Sequence, residues 1–393
     1  MTPPSSTANR RRLLGLVLAP LPLGFLLAYF GIRGDNFDFD IYRRALLGLL
    51  HGGSLYDYTI YQPQYHVSMG FVYPPFASLV MLPLAVIPAL AGKTVMAIGT
   101  ALLMMAALFG VFRLVDARRA TVGRKELSPV VWAWVTIPIV LSMPAISNMQ
   151  LGQVSFAVAC LVLVDVLLLP PKWRGALLGL AAAIKLTPLI MVPYYLLTRQ
   201  WRAAINACAV FGVAAIVGAI FRWHDSVRYW LERDVISNSL GVLSRWDNWS
   251  IYGDLSRLGL TGQPLTLVWA VVSVLVVGLA GWRALQQYRQ GQGLEATLIV
   301  GLTAGLVVTA TWPHHLLFVL VACAVLAVRR PLIGVPSLVF LSATIFLPHG
   351  LMGFCVSSLM VAFVIFGMPG DLRPISRDKT AAQLKPVCVG EPS

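Results

Sequence analysis

Long apolar segments alternate with short polar connectors along most of the chain. Many of these segments approach the roughly 20 residues that an α-helix needs to cross a hydrocarbon core of about 30 Å. The pattern predicts helices over 13–32, 73–91, 92–115, 129–146, 154–171, 175–198, 204–221, 265–282, 296–311, 316–328, 332–347 and 351–367. Some are too short for a full span, so we expect them to tilt, break or enter the membrane only part-way. The chain is therefore predicted to be an all-α polytopic membrane protein with about 11–13 transmembrane or re-entrant helices.

Two connectors, 33–72 and 222–264, are much longer than the others and contain many aromatic and polar residues. A long ordered loop in a compact protein usually has a function. We predict a single bundle over residues 1–370 with these two loops on its outer side. Residues 371–393 are polar and are predicted to form a cytoplasmic tail.

Composition agrees with this class, because 58% of the residues are hydrophobic and 12% are charged. The net charge of +14 does not require a nucleic-acid partner, since most basic clusters lie in short connectors between apolar segments. Such connectors face the cytoplasm by the positive-inside rule and contact anionic lipid. The clusters are Arg10–Arg12, Arg118/Arg119, Arg124/Lys125, Lys172/Arg174, Arg199/Arg202 and Arg329/Arg330. The five cysteines form no CxxC pair and are predicted to be packing residues.

Charge placement also predicts the topology. A cytoplasmic N-terminus and one crossing put loop 33–72 on the outer, periplasmic side. The basic clusters at 172–174 and 199–202 both face inward only if 175–198 enters the membrane and returns, as a re-entrant pair of half-helices would. Segment 73–115 must then make a single net crossing, although its apolar pattern predicts two helices. The sequence alone does not resolve this conflict.

The first long connector begins with three acids in six residues, Asp35, Asp38 and Asp40. An amphipathic helix starts at this point, with Ile41, Ala45 and Leu49 on one face, which we expect to contact lipid. One aspartate is enough to cap the helix. A second role for the group is general base catalysis, in which a carboxylate deprotonates a sugar hydroxyl that attacks a glycosyl phosphate. The phosphate leaving group then needs only cations beside it.

Several other polar residues interrupt apolar segments. Lys185 lies mid-segment, where a lysine costs roughly 2.5–3.5 kcal/mol on insertion scales, so it is either a counter-ion for a lipid phosphate or reaches the interface. Gln153 lies in "NMQLGQVSF" and either binds a sugar or belongs to an ordinary turn. The sequence Tyr73-Pro74-Pro75 is typical of a helix start. The second connector and the "TATWPHHLL" segment add the candidates Asn238, Arg245, His314 and His315.

In order and spacing these motifs resemble glycosyltransferase family 87, a family of polyprenyl-phosphate-sugar-dependent enzymes of the GT-C superclass that includes mycobacterial mannosyltransferases. The resemblance covers residues 33 to about 330. The motifs that carry it are Asp38-Phe39-Asp40-Ile41-Tyr42, Gly52/Gly53 with Leu55-Tyr56, Tyr73-Pro74-Pro75, Gly152-Gln153-Val154-Ser155, Gly179 to Lys185 with Pro188, Asn238-Ser239, and Trp312-Pro313-His314-His315. Two positions depart from the family pattern: Ser155 stands where asparagine is usual, and Pro313 replaces an acidic or polar residue.

The resemblance implies a GT-C fold and makes the carboxylate of Asp38 the catalytic base. The expected reaction is inverting transfer of a hexose, mannose before arabinofuranose, from a polyprenyl-phosphate donor to a lipid-linked glycan. Lys185, His314, His315 and Arg245 are predicted to neutralise the phosphate, with Gln153 and Asn238 at the donor and Asp40 and Tyr42 at the acceptor. We expect no metal, no other cofactor and no nucleic acid, only membrane lipids and the two lipid-linked substrates.

The expected location is the inner membrane of a bacterium, with the active site on the outer side. A lipid-linked sugar flippase is the competing class, because broken helices and an intramembrane lysine suit a transporter. The chain has no convincing internal repeat, and a flippase gives no reason for three aspartates in one outer loop.

Overall fold

The computed structural model describes residues 21–63, 67–121, 123, 125, 127–232, 243–343 and 349–368. Within these ranges the chain forms helices joined by short connectors, with one two-stranded sheet. The helices of the first half are α1 (Leu21–Arg33), α2 (Phe37–Leu50), α3 (Pro75–Val86), α4 (Ala89–Thr121), α5 (Pro129–Val140), α6 (Met143–Leu151), α7 (Ser155–Leu168), α8 (Ala176–Ile184) and α9 (Met191–Leu197). The second half contains α10 (Trp201–Phe221), α11 (Trp223–Leu231), α12 (Ile251–Arg257), α13 (Gly262–Arg289), α14 (Gly293–Val307), α15 (Leu317–Arg329), α16 (Pro331–Ala343) and α17 (His349–Phe366).

The prediction of an all-α membrane protein with full and partial spans is confirmed. Among the described residues, three helices are long and apolar enough to cross a membrane, and the pair α5 and α6 would form a fourth span with a 60° bend. The three are Ala89–Ala120, Trp201–Phe221 and Gly262–Arg289, and shorter apolar helices of 10–17 residues pack around them. The predicted bundle boundary at 370 and the tail 371–393 lie outside the described residues.

The predicted segment 175–198 is broken at its lysine. Helix α8 ends at Ile184, Lys185 is extended, and a 3₁₀ turn (Thr187–Ile190) leads into α9. Both ends of the segment lie at the same end of the bundle. The Asn206 amide, early in α10, donates to the backbone oxygens of Lys172 and Arg174, which precede α8. The chain therefore enters, breaks and returns, as a re-entrant pair of half-helices does.

The basic connectors meet at one end of the molecule, called here the basic end. The fully buried carboxylate of Glu295 pairs with Arg118 at the end of α4 and with Arg329 at the end of α15. Arg118 also donates to the backbone oxygen of Gly291. Tyr194, at the end of the re-entrant segment, packs edge-on against Tyr288 just before Gly291. The clusters that the positive-inside rule groups together are thus close in space.

The conflict over 73–115 disappears because α3 does not cross the bundle. Phe76, at the start of α3, packs against Gly218 at the end of α10 farthest from the basic end. The residue after α3, Ile87, accepts a hydrogen bond from Arg43 of α2 through its backbone oxygen, so both ends of this 12-residue helix lie on the same side. The 33-residue helix α4 alone makes the crossing. The two predicted helices exist, and one of them is too short to span.

Helix α2 exists where the amphipathic pattern placed it, but the predicted lipid contact of its apolar face is wrong. Ile41, Ala45 and Leu49 are all buried in the main hydrophobic core. Helix α2 packs on α3 and on the hairpin β1 (Thr59–Gln62) and β2 (Val67–Gly70), an antiparallel pair that the sequence did not suggest. The same apolar stripe that suits lipid therefore faces protein here.

The two long connectors join each other at the end opposite the basic end, called here the site end. The buried carboxylate of Asp225 in α11 accepts hydrogen bonds from the Ser54 hydroxyl and the Leu55 backbone NH of the first connector. Arg228 of α11 pairs with Asp57 at 2.6 Å. These contacts hold the two connectors as one cover over the site end of the bundle.

Candidate active site

A cavity of about 840 Å³ lies at the site end, between the two connectors and the helix ends below them. Its lining comes from the start of α2, the end of β2, helix α6, the break after α8, the segment 245–247 and the segment 308–315. The predicted site residues among its lining are Asp38, Tyr42, Gln153, Lys185, Arg245, His314 and His315. Seven residues from five separate parts of the sequence thus converge on one space.

Asp38 is held in the cavity by a tight contact between two backbone segments. Asn36 adopts a left-handed conformation (φ 54°) just before α2, and its backbone NH donates to the Gln150 oxygen at 2.8 Å. Gly152 ends α6 with φ 66°, and a Cβ there would lie 2.7 Å from the Cβ of Phe39. Only glycine allows both the positive φ and this close approach. The Asp35 carboxylate accepts from the Phe37 backbone NH at 3.3 Å, which fits the predicted capping role.

The Asp38 carboxylate is oriented by a network of hydrogen bonds. The Gln153 amide donates to Oδ2 of Asp38 at 2.8 Å. The Tyr73 hydroxyl donates to Oε1 of Gln153 at 3.0 Å, and the Tyr42 and Tyr73 hydroxyl oxygens are 2.9 Å apart. Asp38 also lines the cavity. The carboxylate can therefore accept a proton from a bound hydroxyl.

Burial sets the basicity of Asp38. Loss of solvation raises the pKa of this carboxyl from its ordinary value to about 6. The Gln153 hydrogen bond and the positive charges of Lys185 and Arg245 lower the pKa, and the nearby Asp35 raises it. A pKa near 6 leaves the group ionised at neutral pH and makes it a stronger base than an exposed aspartate.

Lys185 reaches the cavity because α8 stops one residue before it. Its extended backbone turns the side chain toward α7 and the 3₁₀ turn Pro313–His315. The ammonium group donates to the Ser155 hydroxyl at 2.7 Å and lies 2.9 Å from Nε2 of His315. It also lies 5.7 Å from the centre of the Tyr73 ring. These partners hold a cation at the inner wall of the cavity, where an anion could bind.

His314 differs from His315 in having no hydrogen-bond partner for either ring nitrogen among the described residues. Its ring is 4% exposed and lies edge-on to that of His315, with the centroids 4.6 Å apart. Buried polar atoms normally have partners, so an unpaired imidazole on a cavity wall is suited to bind a ligand.

Arg245 forms a second polar wall of the cavity together with one acidic and one aromatic neighbour. Its guanidinium pairs with both oxygens of Asp247, at 2.8 and 2.5 Å, and stacks 4.9 Å from the centre of the Trp312 ring. The segment is fixed by the fully buried Asn248, whose amide oxygen accepts from the Thr311 backbone NH. Planar aromatic and bidentate polar groups together suit a sugar ring.

One predicted site residue, Asp40, does not line the cavity, and its carboxylate lies 3.7 Å from Lys93 of α4. The predicted residue Asn238 lies outside the described residues. The sequence reading missed the roles of Tyr73 and Ser155. Tyr73-Pro74-Pro75 does precede α3 as predicted, but the same tyrosine also bonds Gln153.

Metal-ligand side chains do not cluster in the part of the chain that the structure describes. No group of three or more His, Cys, Asp or Glu residues there could hold a metal ion. The positive charges that act on Asp38 in the cavity are those of Lys185 and Arg245.

Comparison with known proteins relates the whole arrangement to membrane glycosyltransferases. The sequence model described as glycosyltransferase family 87 matches residues 71–310. A polyprenol-phosphate-mannose-dependent alpha-(1-2)-phosphatidylinositol mannoside mannosyltransferase of Mycolicibacterium smegmatis is 33% identical over 310 residues, 75% of this chain and 70% of the relative. Its Mycobacterium tuberculosis counterpart is 30% identical over 321 residues, covering 79% and 74%. An alpha-(1->3)-arabinofuranosyltransferase of M. tuberculosis is 26% identical over 269 residues, covering 65% and 57%.

Proposed function

Because the chain belongs to glycosyltransferase family 87, we propose that it transfers mannose from a polyprenyl-phosphate donor to a lipid-linked glycan at the outer face of the membrane. The observation that carries this proposal is the placement of a half-buried, oriented carboxylate and a half-buried lysine on the walls of one cavity. The carboxylate can accept the proton of the attacking hydroxyl, and the lysine can bind the departing phosphate.

The transfer is a single displacement with inversion at the anomeric carbon. Asp38 accepts the proton of the acceptor hydroxyl, and the hydroxyl oxygen forms a bond to the anomeric carbon. The bond from that carbon to the phosphate oxygen breaks, and its electron pair leaves with the polyprenyl phosphate. Lys185 and His314 bind the phosphate as its charge grows, and Arg245 with Trp312 faces the sugar. Lys185 contributes positive charge at the phosphate, and His314 contributes ring nitrogens that have no other partner among the described residues.

The isoprenoid tail has a matching apolar path. A narrow crevice between α7, the re-entrant segment, α14 and α15 meets the large cavity at Lys185, Thr187, Val308 and His315. Below this junction its walls are apolar or small, including Val158, Ala159, Ala304 and Phe318. A donor with its phosphate at Lys185 would place its first isoprene units here, out of water.

The Ala304→Phe variant tests that path. A phenyl ring at this position fills the crevice without touching the polar cavity. We expect the KM for a long-chain donor to rise by at least about tenfold, since burial of each methylene contributes about 0.8 kcal/mol. The KM for a mannosyl phosphate donor with a methyl group in place of the isoprenoid should change little. Equal changes for the two donors would contradict this placement.

The main proposal is tested with the purified protein in lipid vesicles. Labelled polyprenyl-phosphate-mannose is mixed with phosphatidylinositol mannosides, the acceptor class in the names of the relatives. We expect a product one mannose larger, with the anomeric configuration opposite to that of the donor. Polyprenyl-phosphate-arabinose serves as the second donor, because an arabinofuranosyltransferase is also among the relatives.

Three outcomes would count against the proposal. Preferential use of the arabinose donor would change the sugar, and retention of configuration would exclude Asp38 as the base of a single displacement. Movement of labelled donor across the vesicle without loss of its sugar would favour a flippase. An identical reaction with the Asp38→Asn protein measures the uncatalysed background.

A further inference from the structure

A continuous chain of hydrogen bonds connects His315 and Lys185 on one side of the cavity with Asp38 on the other. Starting from His315, it passes to Lys185 at 2.9 Å, to the Ser155 hydroxyl at 2.7 Å, to Oε1 of Gln153 at 3.2 Å and from Nε2 of Gln153 to Asp38 at 2.8 Å. Ser155 occupies the middle of this chain. It borders the apolar crevice and is absent from the lining of the polar cavity, so it acts through its neighbours.

From Lys185 to Asp38 the donors and acceptors of this chain have one consistent direction. An ammonium group has N–H donors only, so the Ser155 oxygen accepts from Lys185 and its single proton is left for Gln153. Oε1 of Gln153 receives a second donor from Tyr73. With both donors on its oxygen, the amide must turn its NH₂ group toward Asp38. The reversed amide would set an oxygen against the carboxylate and leave the two hydroxyls without an acceptor.

From this geometry we propose that Ser155 is a positioning residue for the catalytic base: its hydroxyl fixes the Gln153 amide, which in turn orients and stabilises the ionised carboxylate of Asp38. The inference rests on the proposed role of Asp38 as the base. Gln153, predicted from sequence to bind the sugar, uses its amide oxygen for Ser155 and Tyr73.

The charged and titratable groups around Asp38 come from every neighbouring element. They are Asp35 before α2, Tyr42 in α2, Tyr73 before α3, Lys185 at the re-entrant break, Arg245 in the second connector, and His314 and His315 before α15. Substitution of Ser155 removes none of these groups. A change in the titration of Asp38 in a Ser155 variant would therefore report the altered Gln153 hydrogen bond.

The experiment compares the Ser155→Ala and Ser155→Thr variants with the unmodified protein. Threonine keeps the hydroxyl and alanine removes it. For Ser155→Ala we expect kcat to fall about tenfold, the free-energy equivalent of one lost hydrogen bond. The acid limb of its pH profile should move to higher pH, because the carboxylate is less stabilised. Ser155→Thr should restore both kcat and the acid limb.

A second measurement does not depend on activity. Infrared titration of the purified protein follows the carboxyl band of Asp38, which the Asp38→Asn variant identifies. The midpoint should be higher in Ser155→Ala than in the unmodified protein or Ser155→Thr. If this shift occurs but no mannose is transferred, the proposed function fails and the positioning role stands.

The matched control is Ser78→Ala. Ser78 is also buried, and among the described residues its hydroxyl bonds to the Pro75 oxygen of its own helix. We expect its kcat and acid limb to stay at the unmodified values. An unchanged kcat and acid limb in Ser155→Ala would overturn the inference. So would a Ser155→Thr variant as impaired as Ser155→Ala, since packing and not the hydroxyl would then matter.

Discussion

Asp38 and Asp40 are two residues apart on one helix, and this spacing decides their roles. Successive residues of an α-helix are rotated by about 100°, so positions i and i+2 point to nearly opposite sides. Asp38 faces the cavity and Gln153, whereas Asp40 faces Lys93. The chemistry of the two side chains is identical, and only the position on the helix makes Asp38 the proposed base.

The Asp38→Asn substitution should therefore lower kcat by roughly 10²–10⁴, the usual contribution of a general base. Asparagine keeps the shape and the Gln153 contact but cannot accept the proton. Initial rates of mannose transfer measure the effect, and a thermal unfolding scan checks that the variant is folded. The Asp40→Asn variant should stay within about threefold of the unmodified protein. A larger loss in Asp40→Asn than in Asp38→Asn would reverse the assignment.

The pH dependence of the reaction follows from the same carboxylate. The active form of Asp38 is ionised, and burial raises its pKa to about 6. Activity is therefore full above that value and declines tenfold per pH unit below it. We expect kcat/KM for the acceptor to show this acid limb between pH 5 and 7, which a buffer series at constant ionic strength measures. An acid limb near pH 4 would mean that the base is a solvated carboxylate.

Some site residues could be predicted from their chemistry, and others could not. Asp38, Lys185, His314 and His315 stand out because ionisable groups are rare beside apolar segments, and the structure collects them in one cavity. Tyr73 and Ser155 carry no such signal, since both residue types are common at helix starts. Their role depends on Gln153, which lies far from Tyr73 in sequence. The position of Asp40 outside the cavity could also have been predicted, because the helical period places it on a different face from Asp38.

At the scale of single elements, apolar length predicts where helices lie but not how far they cross. Residues 75–86 are as apolar as a spanning helix, yet α3 stays at the site end because only 12 residues are available before the break at Pro88. The break in 175–198 was predictable, since Lys185 and Pro188 both disfavour a continuous helix there. The face of α2 that packs on protein could not be distinguished from a lipid face, because both are apolar.

The re-entrant helix α8 is held against α10 by small residues. Gly179 packs so closely on α10 that a Cβ there would overlap the backbone oxygen of Ala207. Small residues at such crossings let helix backbones approach inside a membrane. The same contact fixes where α8 ends and hence where Lys185 lies.

The Gly179→Ala variant should therefore lower the unfolding temperature in detergent by roughly 3–10 °C, the range expected for an overpacked core. Mannose transfer should fall as well, since the break that presents Lys185 shifts. Gly212→Ala in α10 is the matched control, because no heavy atom lies within 4 Å of its Cβ position. Its unfolding temperature should stay within about 2 °C of the unmodified protein. Equal shifts in the two variants would contradict the packing argument.

At the scale of the whole molecule, the charge distribution indicates which side of the membrane the cavity faces. The basic connectors gather around Glu295 at the basic end, and the cavity lies at the opposite end beneath the two long connectors. Basic loops remain in the cytoplasm during membrane insertion. We therefore propose that the cavity opens on the outer side, where a lipid-linked donor and acceptor could diffuse laterally to it.

Single-cysteine labelling with a membrane-impermeant maleimide tests this orientation. In a cysteine-free background, His51→Cys reports the site end and Lys125→Cys reports the basic end, and both positions are exposed and outside the described cavity lining. We expect His51→Cys to react in intact spheroplasts and Lys125→Cys to react only in inside-out vesicles. The opposite pattern would place the cavity in the cytoplasm and make a cytoplasmic acceptor necessary. Since both variants retain the unmodified Asp38 and Lys185, mannose transfer by each confirms that the labelled protein has its functional fold.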